Sequence, residues 1–275
     1  MSQPPPARSN LTLRLLTAAV TVPLILYSLF AGPHWLFPLL ASITTVLGAF
    51  ELATMVAPGH QIARAWNVLA SLAMFSIVAF DLSNTMHEAV LIAVVCGGML
   101  ISLINPEPME QAALRSGWAI AGPMYIGGLF GVIVQLFQER SGGAWVLLTM
   151  LCAFWSDTGG YFAGRKLGKT KLYEKVSPKK TVEGSIGGLL AALVGGLLVH
   201  FFLLKEVPLI NIVLLTIFAA AAGQAGDLCE SLIKRSTGVK DSGTVLPGHG
   251  GMLDRVDALL FSAAAVWIYV QLFTH

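Results

Sequence analysis

Charged side chains are scarce in this chain of 275 residues: aspartate, glutamate, lysine and arginine together make up 12% of it. Soluble domains carry about 25% charged residues. Apolar residues make up 55% of the chain, and its mean hydropathy is +0.74. So few charges cannot cover the apolar surface of a soluble fold of this length, and the composition also excludes a disordered chain and a coiled coil. An integral membrane protein is the class that remains.

Cysteine is also rare, and its pattern excludes two further classes. Cys96, Cys152 and Cys229 are odd in number, lie inside apolar runs and show no CxxC or Cys/His spacing. This excludes a disulfide framework and a zinc site. We expect the three thiols to pack as small apolar side chains. A GxxxxGK[ST] phosphate loop is absent as well.

Long apolar segments predict the fold. A membrane-spanning helix needs about 20 mostly apolar residues, and nothing in the chain alternates in polarity as barrel strands do. The predicted fold class is therefore all-α: a polytopic integral membrane protein with about nine transmembrane helices. We expect the first span to be retained rather than cleaved as a signal peptide, because no clear small-x-small site follows it. The nine segments are roughly 11–30, 34–55, 65–82, 85–104, 117–137, 144–164, 186–204, 208–229 and 256–273.

The basic residues predict the orientation. With nine spans, all 17 lysines and arginines except Arg140 and Lys205 fall on the side that holds the amino terminus. Cytoplasmic loops carry the excess of lysine and arginine. We therefore expect a protein of the cell (inner or cytoplasmic) membrane whose basic side faces the cytoplasm.

Polar residues divide the chain into two regions. Residues 1–115 are predicted to form an amino-terminal transmembrane scaffold, and residues 116–275 a carboxyl-terminal catalytic region with cytoplasmic loops 165–185 and 235–255. A charge inside an apolar helix costs about 2.5–3.5 kcal/mol and marks a functional candidate. Five acids of the second region lie within or at the ends of its apolar helices: Asp157, Asp227, Glu230, Asp254 and Asp257.

The first polar block runs from residue 155 to 185. Asp157, Tyr161 and Arg165 recur every four residues and share one helix face. Further on, Ser-Pro-Lys-Lys-Thr resembles a loop that enters a helix, and backbone N–H groups at such an entry together with two ammonium groups suit a phosphate. The alternative is that Lys179 and Lys180 only anchor the chain at the membrane surface.

The second block is denser in charge. Asp227, Glu230 and Lys234 share a helix face, and Asp254 opens the last helix. Two helix ends that bear carboxylates at one membrane face can converge on a divalent cation, and oxygen ligands favour Mg²⁺ or Mn²⁺ over zinc. The alternative is a set of ion pairs, such as Asp254 with Arg235, that only neutralise one another.

Smaller features accompany this block. Gly248, Gly250 and Gly251 allow close approach of a ligand to the backbone, and the glycines beside His249 favour a functional role for that side chain. We read Glu51, near the end of the second span, as a helix-packing group or one that supports other site residues. Carboxylates, a metal ion and many cations together suit phosphoryl or nucleotidyl transfer, here between a nucleotide and a lipid phosphate.

These residues resemble a known family. Residues 231–257 are similar to the signature of phosphatidate cytidylyltransferases, also called CDP-diacylglycerol synthases, as are Ser-Asp-Thr-Gly-Gly-Tyr-Phe at 156–162 and Ser-Pro-Lys-Lys-Thr-x-Glu-Gly at 177–184. The resemblance covers the carboxyl-terminal half, whereas the first 115 residues match only as hydrophobic helices. Val182 stands where the family often has an aromatic residue, so we expect no stacking there.

The resemblance implies that CTP and phosphatidic acid give CDP-diacylglycerol and pyrophosphate with Mg²⁺ (or Mn²⁺), with a second metal ion as an option. We also expect a homodimer and no nucleic-acid partner. Asp227 and Asp254 correspond to the family's metal-binding aspartates, and we expect them to be catalytic together with Lys234 and Lys240. The expected substrate-binding residues are Ser177, Lys179, Lys180, Arg235, Asp241, His249, Gly250 and Arg255.

Three other functions are weighed against this one. A CTP-dependent lipid or polyprenol kinase would release CDP instead of pyrophosphate. A secondary transporter would place its acids near the bilayer midplane, whereas these acids cluster at one face. A CDP-alcohol phosphotransferase would need a DGxxAR…GxxxD motif, which is absent.

Overall fold

The computed structural model describes residues 7–104, 106–243 and 250–274, with side chains from Thr17 onward. Apolar segments become helices throughout, since a helix satisfies its own backbone hydrogen bonds. The helices are α1 (Ala7–Phe30), α2 (Leu36–Val56), α3 (Gln61–Ala79), α4 (Asn84–Ile104), α5 (Ala112–Pro123), α6 (Leu129–Gln138), α7 (Gly142–Leu167), α8 (Val182–Phe202), α9 (Leu209–Ser236) and α10 (Leu253–Phe273). A 3₁₀ turn (Met109–Gln111) precedes α5, and a π-helical turn (Met124–Gly128) joins α5 to α6 as one span.

The all-α class is confirmed, and each of the nine predicted segments lies on a helix. Within the described residues, seven helices are long and apolar enough to cross a membrane, counting α5 and α6 together. By length and composition, the described residues therefore contain fewer candidate transmembrane helices than the nine predicted. The described apolar part of α1 is only Thr17–Phe30. The polar end of α7 carries Asp157, Arg165 and Lys166, and these charges reduce its hydropathy.

A short hairpin occupies the predicted loop 165–185. Helix α7 continues to Leu167, and strands β1 (Lys171–Tyr173) and β2 (Ser177–Thr181) pair antiparallel, with Lys171 opposite Thr181 and Tyr173 opposite Ser177. Strand β2 leads directly into α8, whose first turn is capped by the Thr181 hydroxyl that accepts from the Gly184 amide at 3.1 Å. The Ser-Pro-Lys-Lys-Thr segment is therefore a strand that enters a helix rather than a loop.

The core lies where α10 packs among α6, α7 and α9. Leu148, Ile212, Leu260 and Val266 are completely buried there. Helix α4 is the opposite case, because Val94, Gly98 and Ser102 are its buried residues and most of its apolar side chains face outward. An outward apolar face of this length suits contact with lipid.

Close packing of α7 on α8 holds the hairpin at one end of the bundle. A Cβ atom added to Gly187 would lie 2.2 Å from the Cβ of Ala163, and one added to Gly159 would lie 2.4 Å from the Cβ of Ala191. Small residues at such a seam let two helix backbones approach closely. The seam therefore fixes the polar end of α7 against the start of α8.

Substitution of Gly187 by leucine should separate the two helices. Overpacking of a tight contact costs about 1–3 kcal/mol, so we expect a lower melting temperature for the detergent-solubilised variant. Gly117→Ala is the control, because a Cβ there meets no atom within 4 Å, and its melting temperature should not fall. A G187L variant as stable as the unmodified protein would contradict this account of the seam.

Candidate active site

A lysine between two acids joins α9 to α10. Lys234 forms an ion pair with Glu230, one turn earlier on α9, and its Nζ donates to Asp254 Oδ1 at 2.6 Å. Glu230 is fully buried, and the side chains of Lys234 and Asp254 are only 12% and 14% exposed. The alternative of an ion pair between Asp254 and Arg235 is therefore wrong, because Lys234 is the partner of Asp254. Arg235 instead donates from Nε to the Val176 carbonyl at 3.4 Å.

The second oxygen of Asp254 accepts from the preceding segment. Oδ2 lies 2.9 Å from both the backbone nitrogen and the hydroxyl of Ser242, and 3.2 Å from the Gly251 nitrogen. Asp254 lies in the first turn of α10, where negative charge is favoured. The carboxylate therefore connects two parts of the signature segment to the start of this helix.

Glu51, read from the sequence only as a packing or supporting group, makes specific contacts with the signature segment. It is 2% exposed on α2, and its carboxylate accepts from the backbone nitrogens of Met252 and Leu253, each at 2.9 Å. Its Oε2 also lies 3.1 Å from the Ser242 hydroxyl. An acid inside an apolar helix was the available signal, but nothing in the sequence names its partners some 200 residues later.

A cavity of about 400 Å³ with several charged lining residues opens beside this cluster, between the hairpin and helices α7, α8 and α9. Lys180 pairs with Asp227 there at 2.5 Å, and Arg165 donates to the Tyr161 hydroxyl at 3.2 Å. Asp157 interacts electrostatically with Asp227, Lys180 and Arg255. The cavity is lined by Ser156, Asp157, Gly160, Tyr161, Gly164, Arg165, Leu172, Lys179, Lys180, Thr181, Gly184, Ser185, Gln224 and Asp227.

Two polar side chains hold the walls of this cavity. Glu183 accepts from the backbone nitrogens of Lys169 at 3.0 Å and Thr170 at 3.2 Å, which fixes the segment between α7 and the hairpin. The Gln224 amide of α9 donates to the Ser156 hydroxyl at 2.9 Å and to the Ser185 carbonyl at 3.0 Å. Gln224 of α9 therefore connects its own helix to α7 and α8. One glutamine in an apolar run is not enough to predict this role from the sequence.

The structure brings the predicted residues together in two groups. Lys179, Lys180 and Asp227 line the cavity, while Lys234 and Asp254 lie in the buried cluster. Gly250 lies beside Asp254, since a Cβ there would be 3.5 Å from Oδ2, and its φ of +82° favours glycine. The other predicted residues do not line the cavity: Ser177 is half-buried on β2, and Lys240, Asp241 and Arg255 are exposed. His249 lies outside the described residues.

The carboxylates of the site are candidate ligands for a divalent ion. Within residues 7–104, 106–243 and 250–274, no group of three or more His, Cys, Asp or Glu side chains is arranged to hold a metal. Mg²⁺, however, is usually bound by one or two carboxylates together with substrate phosphates. The described carboxylates therefore do not enclose a metal by themselves, and a hard ion held by Asp227 or Asp254 would need a phosphate ligand as well.

A larger cavity, of about 1,090 Å³, is less suited to such chemistry. It is lined mostly by apolar and aromatic side chains of α1, α2, α3 and the α6–α7 region, and Glu139 is the charged residue on its wall. Among the described residues, no lysine or arginine lines it. The smaller cavity, with three cations and two carboxylates, is therefore the candidate active site.

A cavity with three cationic side chains at the ends of apolar helices is suited to phosphate groups at a membrane face. Comparison with known proteins specifies the class. The chain matches the model of the cytidylyltransferase family over residues 12–273, and it belongs to that family.

Named relatives agree with this assignment. The chain is 34% identical to the phosphatidate cytidylyltransferase of Brucella suis biovar 1 over 272 residues, which cover 97% of this chain and 96% of the relative. It is 40% identical over 159 residues to the phosphatidate cytidylyltransferase of Bacillus subtilis, and 46% identical over 129 residues to that of Staphylococcus saprophyticus. These two matches cover 58% and 46% of this chain and span only 59% and 50% of the relatives.

Removal of the central cation should destabilise the buried cluster. Lys234→Ala leaves Glu230 without its partner, and breaking a buried ion pair from one side costs about 3–5 kcal/mol. We expect a clear loss of melting temperature in detergent, and recovery of most of it in the double variant Lys234→Met/Glu230→Gln.

Arg140→Ala provides the matched control for this prediction. Its ion pair with Glu206 spans 3.5 Å, with side chains 88% and 84% exposed, and exposed pairs contribute about 0–1 kcal/mol. An equal decrease in melting temperature in the K234A and R140A variants would show that the buried Lys234 cluster stabilises the protein no more than an exposed ion pair does.

Proposed function

We propose that this protein transfers a cytidylyl group from CTP to phosphatidic acid, which yields CDP-diacylglycerol and pyrophosphate for phospholipid biosynthesis. Family membership and the relatives' names support the reaction. The observation that carries the proposal is the cavity, where Arg165, Lys179 and Lys180 stand among the ends of apolar helices. A water-soluble triphosphate and a lipid phosphate can meet at such a place.

The reaction exchanges one phosphoanhydride bond for another. An oxygen of the phosphatidate phosphate attacks the α-phosphorus of CTP, the bond from that phosphorus to the oxygen bridging to the β-phosphate breaks, and pyrophosphate leaves. Charge accumulates on phosphate oxygens, so positioning and electrostatic stabilisation dominate such transfers. Lys179, Lys180 and Arg165 supply cations in the cavity for this charge.

The other predicted residues receive their proposed roles from their contacts or, where they lie outside the cavity, from the family resemblance alone. Lys180 contacts Asp227 and can exchange that carboxylate for a substrate phosphate. Lys234 holds Asp254, and Lys240 is assigned to the catalytic group with it. Substrate binding is assigned also to Ser177, Arg235, Asp241, His249, Gly250 and Arg255.

Asp227 and Asp254 are the proposed ligands of Mg²⁺ or Mn²⁺, with a second ion as an option. A bound divalent ion would neutralise phosphate charge and orient the reacting groups. The oxygen-only donor set supports this choice of metal. The homodimer and the independence from nucleic acid stay predictions.

The reaction is tested with purified protein, labelled CTP and phosphatidic acid, with and without Mg²⁺. We expect metal-dependent CDP-diacylglycerol and pyrophosphate in equal amounts. A lipid kinase would instead release CDP and a phosphorylated lipid, so the products alone decide between the two enzymes.

Asp227→Asn and Asp254→Asn test the metal ligands in the same assay. Each should lower the rate by at least about tenfold, or about 1.4 kcal/mol in activation free energy. Glu88→Gln, an exposed acid on α4, should leave it unchanged. Full activity in either asparagine variant would refute that residue's assignment to the metal.

The active site is proposed to face the cytoplasm, because a topology with nine spans would put all but two of the basic residues on its side. CTP does not cross a sealed bilayer. Inverted membrane vesicles should therefore form product from added CTP, whereas sealed right-side-out vesicles should do so only after permeabilisation. Equal activity in both sealed preparations would contradict this orientation.

A further inference from the structure

Glu51 lies far from the signature segment along the sequence but in direct contact with it. It belongs to α2, in the region predicted to be scaffold, and its side chain is 2% exposed. A buried acid in an apolar helix is costly unless it is paired or hydrogen-bonded. The partners of this carboxylate therefore explain why the acid is there.

Both oxygens of Glu51 bind the amino terminus of α10. Oε1 accepts from the Met252 nitrogen and Oε2 from the Leu253 nitrogen, each at 2.9 Å. The first N–H groups of a helix have no partner within that helix, and they carry partial positive charge. A carboxylate from another helix satisfies two of them and sets where α10 begins.

The contact extends to Asp254 through one hydroxyl group. Ser242 Oγ lies 3.1 Å from Glu51 Oε2 and 2.9 Å from Asp254 Oδ2, and it accepts from the Asp254 nitrogen at 3.3 Å. There is no room for another atom, since a Cβ on Gly251 would lie 1.9 Å from Ser242 Oγ and 2.8 Å from Glu51 Oε2. Displacement of Glu51 would therefore move Ser242 and the start of α10 together.

We propose that Glu51 is a positioning residue: it holds the start of α10 and the Ser242 hydroxyl so that Asp254 keeps its orientation toward Lys234. The effect on catalysis rests on the proposed cytidylyltransferase function, whereas the effect on the backbone does not. Residues 1–115 would then contribute directly to the order of the active site.

Glu51→Gln tests the proposal with little change in volume. Glutamine has one acceptor oxygen, and its amide would point a donor at a backbone N–H that is itself a donor. Thr45→Val is the matched control. Thr45 is buried on the same helix, and its hydroxyl donates to the Ala41 carbonyl within α2 at 2.9 Å.

Amide hydrogen exchange measures the backbone without any substrate. In E51Q we expect peptides that contain Met252 and Leu253 to exchange at least about tenfold faster, with little change elsewhere, since exchange reports local opening. The T45V variant should not show this local increase. Unchanged exchange at these amides in E51Q, or an equal increase in T45V, would overturn the proposal.

Steady-state kinetics gives the second readout. Misplacement of Asp254 should lower kcat by about tenfold while KM for CTP stays within about twofold, since an interaction that acts in the transition state affects kcat. A loss of folded protein would lower the amount of active enzyme without the local change in exchange, and that pattern would refute a positioning role. If the unmodified protein makes no CDP-diacylglycerol, the proposed function fails, and hydrogen exchange still decides whether Glu51 holds α10.

Discussion

Compensation of charge inside an apolar bundle is the constraint on which the rest of this structure depends. Glu230 is completely buried, and Lys234 stands between it and Asp254 with only 12% of its side chain exposed. An uncompensated charge in such surroundings costs several kcal/mol. The lysine therefore needs both acids, and the acids fix the end of α9 against the start of α10.

Carboxylates that bind pairs of backbone amides extend this order to the irregular segments. Glu51 binds the nitrogens of Met252 and Leu253, and Glu183 binds those of Lys169 and Thr170. Buried backbone amides need hydrogen-bond partners, and Glu51 supplies them for two residues in the interior, while Glu183 orders an exposed segment. One acid comes from α2 in the amino-terminal region and the other from the first turn of α8, so both regions contribute contacts near the site.

Sequence patterns predicted the fold class and much of the site, because both depend on local composition. Apolar runs of about 20 residues predict helices. Asp227, Lys234 and Asp254 could be recognised as candidates because a charge in such a helix is costly. Partners across the chain were not visible. The pairing of Lys180 with Asp227 and the contact of Glu51 with α10 depend on how the helices pack. The hairpin at 171–181 depends on strand pairing, which a five-residue Lys-rich segment does not predict.

Two lysine–aspartate pairs in this site differ in what surrounds them, and the difference separates their parts in the proposed reaction. Asp254 accepts from Lys234, from two atoms of Ser242 and from Gly251, so loss of one partner leaves it held by the others. Asp227 contacts Lys180 at 2.5 Å and the Ser231 hydroxyl at 3.4 Å, and it lines the cavity. A phosphate that enters can compete for Lys180 because water already reaches that pair, with 27% and 20% of the two side chains exposed. The cavity pair is therefore the one that a substrate can rearrange, while the buried pair keeps Asp254, the other proposed metal ligand, in a fixed position.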